Sequence, residues 1–271
     1  MADYFQSKPI SDIRGAFNVE GYNVVVTGGN RGIGRGISEA FAQGGANVII
    51  ICRNIESGNA VAEEYSGKYN GKFCAIQADI GNRDSVVAAA DKVFGIYDHL
   101  DVLVNNAGIA TNKDFLSEGG LDEWHRIIDV DLHGVANMVY YFASKMKENK
   151  NGGSIINISS IGSRSISNSK DHHNSPYNVA KAGVDIFTRY LAVTLGDYGI
   201  RVNSILPGPT HSDLDANLPE SALATIENMM PAHRFGEPIE IGALAVFLAS
   251  PLGVQITGTN IPHDGGMLTI C

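Results

Sequence analysis

The chain has 271 residues, 44% of them hydrophobic and 18% charged, a composition able to bury a sizeable core as one large domain or two small ones. A formal charge of -9 at pH 7 argues against a nucleic-acid binder, which needs clustered lysine and arginine, but leaves room for a phosphate-bearing cofactor held by one or two local cations. Cys52, Cys74 and Cys271 are widely spaced, with neither zinc-ligand nor redox spacing, so they read as buried or incidental thiols.

Residues 1–18 read as an N-terminal arm preceding a domain over 19–271. They carry Asp3, Lys8, Asp12 and Arg14 around no apolar core, which does not fit a signal peptide. No run of 18 or more apolar residues occurs, so no membrane span is expected and the chain reads as cytoplasmic. Short β-branched runs at 24–26, 48–51, 73–77, 102–104, 154–158 and 202–206 predict strands, with a last strand near 260–263. These runs are apolar without polar alternation, as in a parallel sheet covered on both faces. Helical patterns fall between them at 34–43, 57–69, 84–97, 122–147, 180–198 and 239–249. The alternation of strand and helix predicts a single-domain Rossmann-type α/β fold, a doubly wound parallel sheet flanked by helices. Residues 209–237 break that rhythm after a strand's C-terminal end, where a substrate lid is expected.

The first strand runs directly into Thr27-Gly28-Gly29-Asn30-Arg31-Gly32-Ile33-Gly34 and then a helix. Glycines there permit a tight turn and let backbone N–H groups approach a pyrophosphate at a helix N-terminus. Tyr177 and Lys181 are four residues apart in a helical segment, so they share a face one turn apart. A nearby ammonium stabilises a phenolate and makes tyrosine a useful acid–base group. No His, Asp and Glu set has ligand spacing, so no metal is implied.

Together these motifs resemble the short-chain dehydrogenase/reductase family, over roughly residues 19–267. The wide TGxxxGIG glycine spacing, Asn105-Asn106-Ala107-Gly108, Tyr177-Asn178-Val179-Ala180-Lys181, Pro207-Gly208 and Asp264-Gly265-Gly266 carry the resemblance in order. It implies a nicotinamide-dependent oxidoreductase that interconverts a carbonyl and an alcohol, with Tyr177 as proton-transfer residue and Lys181 also binding the nicotinamide ribose. Ser160 corresponds to the family serine that holds the substrate oxygen, with Ser159 as the alternative. Asp131, in Val130-Asp131-Leu132-His133-Gly134, stands where the family has a catalytic asparagine that steadies a relay water. The aspartate is expected to kink the helix, to keep the relay through its main chain and to favour protonated Lys181. Cofactor contacts are implied at Gly28, Asn30, Arg31, Gly32, Ile33, Gly34, Arg53, Asn54, Asp79, Ile80, Asn106, Ala107, Gly108, Tyr177, Lys181, Pro207 and Gly208.

The second strand ends in Cys52-Arg53-Asn54, without the acidic residue that holds the ribose 2′-hydroxyl of NAD in other members. Arg31 and Arg53 resemble residues that engage the 2′-phosphate, so NADP(H) is favoured and NAD(H) is the alternative. In that alternative Arg53 stacks on adenine and Arg31 is a solvated surface charge. The segment between Ser160 and Tyr177 is longer than is usual in the family. The insertion falls in 165–174 and includes Asn168, Lys170, Asp171, His172 and His173, with the histidines as loop residues. In the lid region Leu214, Leu218, Leu223, Ile226, Met229 and Met230 would suit a flat apolar ligand or simply pack on the domain. A hydroxysteroid or oxosteroid with a side-chain ketone is the expected substrate, and a ketose or polyol the alternative. A non-catalytic dinucleotide sensor is the reading of another class. Relatives commonly assemble through helices corresponding to 122–147 and 180–198, so a homo-oligomer, tetramer or dimer, is expected.

Overall fold

A computed structural model describes residues 10, 12–13, 15–149, 151–166, 174–212 and 219–270. Most of the predicted arm, Cys271, residues 167–173 of the insertion and 213–218 of the lid lie outside them. Among the described residues seven strands form one sheet: β1 (Asn23–Thr27), β2 (Asn47–Cys52), β3 (Phe73–Gln77), β4 (Val102–Asn105), β5 (Gly153–Ile158), β6 (Ile200–Pro207) and β7 (Asn260–His263). Their order is β3-β2-β1-β4-β5-β6-β7 and every pairing is parallel.

Among the described residues eight α-helices accompany them: α1 (Gly32–Gln43), α2 (Ile55–Lys68), α3 (Arg83–Ile96), α4 (Gly120–Ile128), α5 (Gly134–Met146), α6 (Ser175–Leu195), α7 (Glu220–Asn228) and α8 (Pro238–Ala249). Side chains on a strand alternate between faces, and here both faces are apolar. Val24 and Val26 of β1 join Ile37 and Phe41 of α1 and Ile241, Ala245 and Leu248 of α8 on one side. Val25 joins Met138 and Phe142 of α5 and Val184 and Leu191 of α6 on the other. That double covering is why the strands carry no polar alternation.

Two boundaries differ from expectation. The helix expected over 122–147 divides into α4 and α5 around a five-residue π-helical turn, Asp129–His133. Such widened turns redirect side chains, often at functional sites. This one holds Asp131, fully buried, in its middle. The helix expected from 180 begins at Ser175 instead. Pro176 sits in its first turn, where a missing N–H costs no helical hydrogen bond.

One long-range tie closes the far end of the sheet. Arg201 of β6 is 7% exposed, and its guanidinium donates to the carbonyls of Leu248 and Ala249 at the C-terminus of α8 and of Gly253 in the 3-10 turn that follows. Burial pulls its pKa down to about 10, yet the three carbonyls and the negative helix end suit a cation. Replacing Arg201 by Leu should lower unfolding free energy by about 2–4 kcal/mol, because buried carbonyls lose a charged donor. Urea unfolding checks this, and a change below 1 kcal/mol, within the range of ordinary surface substitutions, would argue against the tie.

Candidate active site

The C-terminal ends of the parallel strands lie along one edge, and the strand order reverses between β1 and β4. The connection after β1 runs to one face and the connection after β4 to the other, which opens a crevice at that point. The glycine loop after β1 borders it. Gly28 has φ +65 and donates its N–H to Ile51 O at 2.7 Å, starting the turn. A Cβ on Gly34 would lie 2.2 Å from Gly28 O and 2.4 Å from Asn106 Nδ2, so the helix start packs directly on the loop.

Thr27 ties the two sides of the crevice together. Its hydroxyl accepts from the N–H groups of Asn106 and Ala107 at 2.9 and 3.0 Å, and its carbonyl accepts from Asn106 Nδ2 at 2.9 Å. The Asn106 amide is therefore engaged at the strand end, where the family resemblance assigns it to the cofactor. Between these segments the surface is open. Gly108 is exposed, and a Cβ on Gly32 would meet only Ser212 Cβ, at 3.7 Å. An open glycine-lined edge at the start of α1 fits a dinucleotide pyrophosphate.

The remaining predicted cofactor residues line the same edge. Arg31 precedes α1 in an extended conformation, and both it and Arg53 are exposed. Among the described residues neither guanidinium has a carboxylate within 4.0 Å. Asn30 Nδ2 donates to Ser57 Oγ at 2.7 Å, linking the glycine loop to α2. Asn54 caps α2 by accepting from Ser57 N at 2.9 Å, so this carboxamide oxygen is engaged in the helix start. Asp79 is exposed after β3 and accepts from Gly81 N at 3.0 Å; Ile80 is buried, and its carbonyl accepts from Asn137 Nδ2 at 3.2 Å. Ile33 is half-buried against the core. Pro207 ends β6, and Gly208 donates to His263 O at 3.0 Å.

The predicted chemical residues meet beside this edge. Tyr177 and Lys181 occupy the first turns of α6, and Lys181 Nζ lies 5.3 Å from the centroid of the Tyr177 ring. Lys181 is 3% exposed. Its ammonium donates to Ile158 O at 3.1 Å and pairs with Asp131 Oδ2 at 3.3 Å. Asp131 Oδ1 accepts from Ile109 N at 2.8 Å, whereas Oδ2 makes no hydrogen bond beyond the ion pair. Burial pushes the Asp131 carboxyl up, against the opposing pull of Lys181 and the Ile109 N–H. Burial also works against the Lys181 ammonium, but the facing Asp131 carboxylate and smaller contributions from Tyr177 and Asp185 leave its pKa above that of an ordinary lysine.

The two candidate serines separate clearly. Ser159 is buried and donates its hydroxyl to Lys181 O at 3.2 Å. Ser160 is half-buried, accepts from Gly162 N at 3.0 Å, and among the described residues donates its own proton to nothing. The Tyr177 hydroxyl is likewise without a hydrogen bond among the described residues. Ser160 and Tyr177 therefore keep a donor for an incoming oxygen. Two polar residues not among the predicted site residues also belong here: Thr27, which opens the glycine motif, and the buried Asp185, which no motif singled out. Asp185 had one signal, its place four residues after Lys181 on the inward face of an amphipathic helix.

Around the expected lid, α7 buries none of its residues fully, and Leu223 and Ile226 are half-buried. Met229 is half-exposed. Met230 is 1% exposed and packs against the turn at Gly265, as the packing alternative for this stretch expects. Among the described residues no His, Cys, Asp and Glu group suits a metal ion, and no helix is long and apolar enough to cross a membrane.

Known proteins with the same organisation bear on this site. A family model described as enoyl-(acyl carrier protein) reductase matches residues 28–268. The 3-oxoacyl-[acyl-carrier-protein] reductase FabG of Aquifex aeolicus is 35% identical, over 92% of this chain and 98% of its own. The 3beta-hydroxysteroid dehydrogenase 1 of Eggerthella lenta is 34% identical over 92% of this chain and 95% of its own. A gluconate 5-dehydrogenase from Burkholderia cenocepacia, solved with NADP and tartrate, superposes with a TM-score of 0.86 at 28% identity, covering 94% of this chain and 98% of that one. With its parallel sheet, glycine loop and Tyr177–Lys181 helix, the chain belongs to the short-chain dehydrogenase/reductase family of oxidoreductases acting on secondary alcohols and ketones.

Proposed function

We propose that the chain interconverts a ketone and a secondary alcohol with NADP(H), using Tyr177 as acid and base and Ser160 as the holder of the substrate oxygen. The observation that carries this reading is the buried Lys181 ammonium beneath Tyr177, fixed between Asp131 and Ile158 O, beside two hydroxyls with protons to spare. Bound along the glycine loop, the nicotinamide cofactor supplies or takes the hydride. In reduction, Ser160 donates a hydrogen bond to the carbonyl oxygen and Tyr177 passes its proton to that oxygen as charge develops. Lys181 stabilises the phenolate left behind, and oxidation runs the same proton path in reverse. Gly28, Gly32 and Gly34 would hold the pyrophosphate, and Arg31 and Arg53 a 2′-phosphate.

For the substrate we infer a hydroxysteroid or oxosteroid. The half-buried Leu223 and Ile226 and the half-exposed Met229 offer an apolar wall beyond β6, and the Eggerthella relative carries a steroid name. The polyol reading keeps support from the gluconate 5-dehydrogenase likeness. The decisive assay follows NADPH and NADH consumption with oxosteroids, ketoses and a 3-oxoacyl thioester. The expected outcome is fastest turnover of an oxosteroid with NADPH; a faster ketose or thioester would replace the steroid reading. In the same assay Tyr177→Phe should lose about 10²–10⁴-fold in kcat. Arg53→Ala should lose about 10- to 100-fold in kcat/KM with NADPH and little with NADH. Tight nucleotide binding without turnover, unaffected by Tyr177→Phe, would instead favour a dinucleotide sensor.

Asp131 takes the role of charge partner to Lys181. In Asp131→Asn the burial that opposes the ammonium loses its largest offset, so the Lys181 pKa falls. The ammonium is then lost at lower pH, and the alkaline limb of the kcat/KM profile should move to lower pH. An unmoved limb would mean that the carboxylate does not hold the lysine charged, and a rise in turnover by orders of magnitude would mean that the native relay is impaired.

The exposed Ile186, Tyr190 and Val193 of α6 and Tyr140 of α5 form apolar surface suited to a second copy of the chain, so we assign the protein a homo-oligomeric state. Sedimentation at assay concentration should give a dimer or tetramer that Val193→Glu dissociates; a wild-type monomer would remove this assignment.

A further inference from the structure

We infer that Asp185 is a positioning residue that fixes the segment bearing Ser160 against the helix bearing Tyr177 and Lys181. This rests on the proposed role of Ser160 toward the substrate oxygen. Asp185 lies on α6, four residues beyond Lys181, and is 8% exposed. Its two carboxylate oxygens reach two different elements. Oδ2 accepts from Ser163 Oγ at 2.6 Å, in the short 3-10 turn Ile161–Ser163 that follows Ser160. Oδ1 accepts from Ser204 Oγ at 3.0 Å, in the middle of β6.

A buried carboxylate is costly unless it is paired or well hydrogen-bonded. Among the described residues Asp185 has no cation within 4.0 Å, so two serine hydroxyls hold its charge. Hydrogen bonds to an ionised acceptor are short and strong, which suits a tether more than a surface contact.

The tethered turn is short and closely fitted. Ser160 Oγ accepts from Gly162 N at 3.0 Å, and Ser163 N donates to Ser160 O at 3.0 Å. A Cβ on Gly162 would lie 2.7 Å from Asn178 Oδ1, beside Tyr177. Arg164 adds a second tie from the far side of the turn, donating to Asn260 O of β7 at 3.1 Å. Ser160 thus stands between an anchored strand, β5, and a turn whose other end is held by Asp185. Loss of that hold would let the serine hydroxyl drift from the Tyr177 hydroxyl without disturbing either residue chemically.

The test compares wild type with Ser163→Ala, Asp185→Asn and Asp185→Ala, using NADPH and the best carbonyl substrate of the panel. An ångström of misplacement costs about a hundredfold in rate, and a loosened turn should cost roughly tenfold in kcat. Ser163→Ala should show that loss with unchanged NADPH affinity by fluorescence titration, an unchanged melting temperature, and faster amide hydrogen exchange over 161–165. Asparagine can accept from one serine and donate to the other, so Asp185→Asn should lose less kcat than Asp185→Ala. Unchanged kcat in Ser163→Ala would overturn the inference. So would a loss of kcat that merely tracks falling melting temperature and cofactor affinity, or equal losses in the two Asp185 variants. If wild type turns over no carbonyl compound, the functional reading fails separately, and hydrogen exchange alone decides the tether: faster exchange at 161–165 sustains it, and unchanged exchange overturns it.

Discussion

The chain places an ammonium where water does not reach, and the surrounding architecture answers that cost. Desolvating an ion costs several kcal/mol unless its protons and charge are met. Lys181 is met on three sides: by the Asp131 carboxylate, by the Ile158 carbonyl at the end of β5, and by the face of Tyr177. Each partner comes from a different element, so the cation also works as a junction. The π-helical turn between α4 and α5 supplies the carboxylate, β5 the carbonyl, and α6 the lysine and the ring. The same carboxylate reaches Ile109 N and so steadies the segment that leaves β4 along the crevice. A Cβ on Gly108 would come within 2.8 Å of Asp131 Oδ2 and 3.3 Å of Lys181 Nζ, which leaves room there for a bare backbone alone.

The parallel sheet makes such a junction possible. All seven strands point the same way, so every strand end opens on one edge, and loops far apart in sequence arrive together. Rigid strands then set the loops. Thr27 locks the end of β1 to the start of the segment after β4 through two accepted N–H groups and one accepted amide. Asp185 does comparable work on the other side, joining α6 to β6 and to the turn behind Ser160. A buried threonine and a buried aspartate thereby hold together segments that border the crevice.

Charge is distributed by the same logic. The chain is acidic overall, yet Arg31 and Arg53 stand exposed at the ends of β1 and β2 with no carboxylate within reach among the described residues. Two like charges left without acids at a shared edge are suited to an anion, and the exposed edge keeps them hydrated until one arrives. Inside the protein the balance is reversed: Asp131 and Asp185 both add negative potential around one lysine. The interior field therefore favours a protonated lysine, as the sequence departure at Asp131 suggested.

Much was legible in the sequence because much of it is local. Unalternating apolar runs specify strands covered on both faces, and the predicted strand at 260–263 coincides with β7. The glycine loop is defined by backbone room, and the Tyr177–Lys181 spacing by the helical repeat, so both are written in a few consecutive residues. What the sequence could not carry are relations between distant segments. It offered a kink at Asp131 within the helix over 122–147, but not the π-helical turn that sets the carboxylate against Ile109 N and Lys181. It left open whether Met230 meets a ligand or packs on the domain, and the methionine packs, because its burial depends on the turn at Gly265 folding onto it. It ranked Ser160 above Ser159 by resemblance, whereas the structure separates them physically: Ser159 is committed to Lys181 O and Ser160 keeps its proton. Asp185 belongs to no motif, and tertiary packing alone brought two serines to its oxygens. Periodicity and backbone room act between neighbours in the chain; desolvation and hydrogen-bond partnership act between neighbours in space, and those the fold alone supplies.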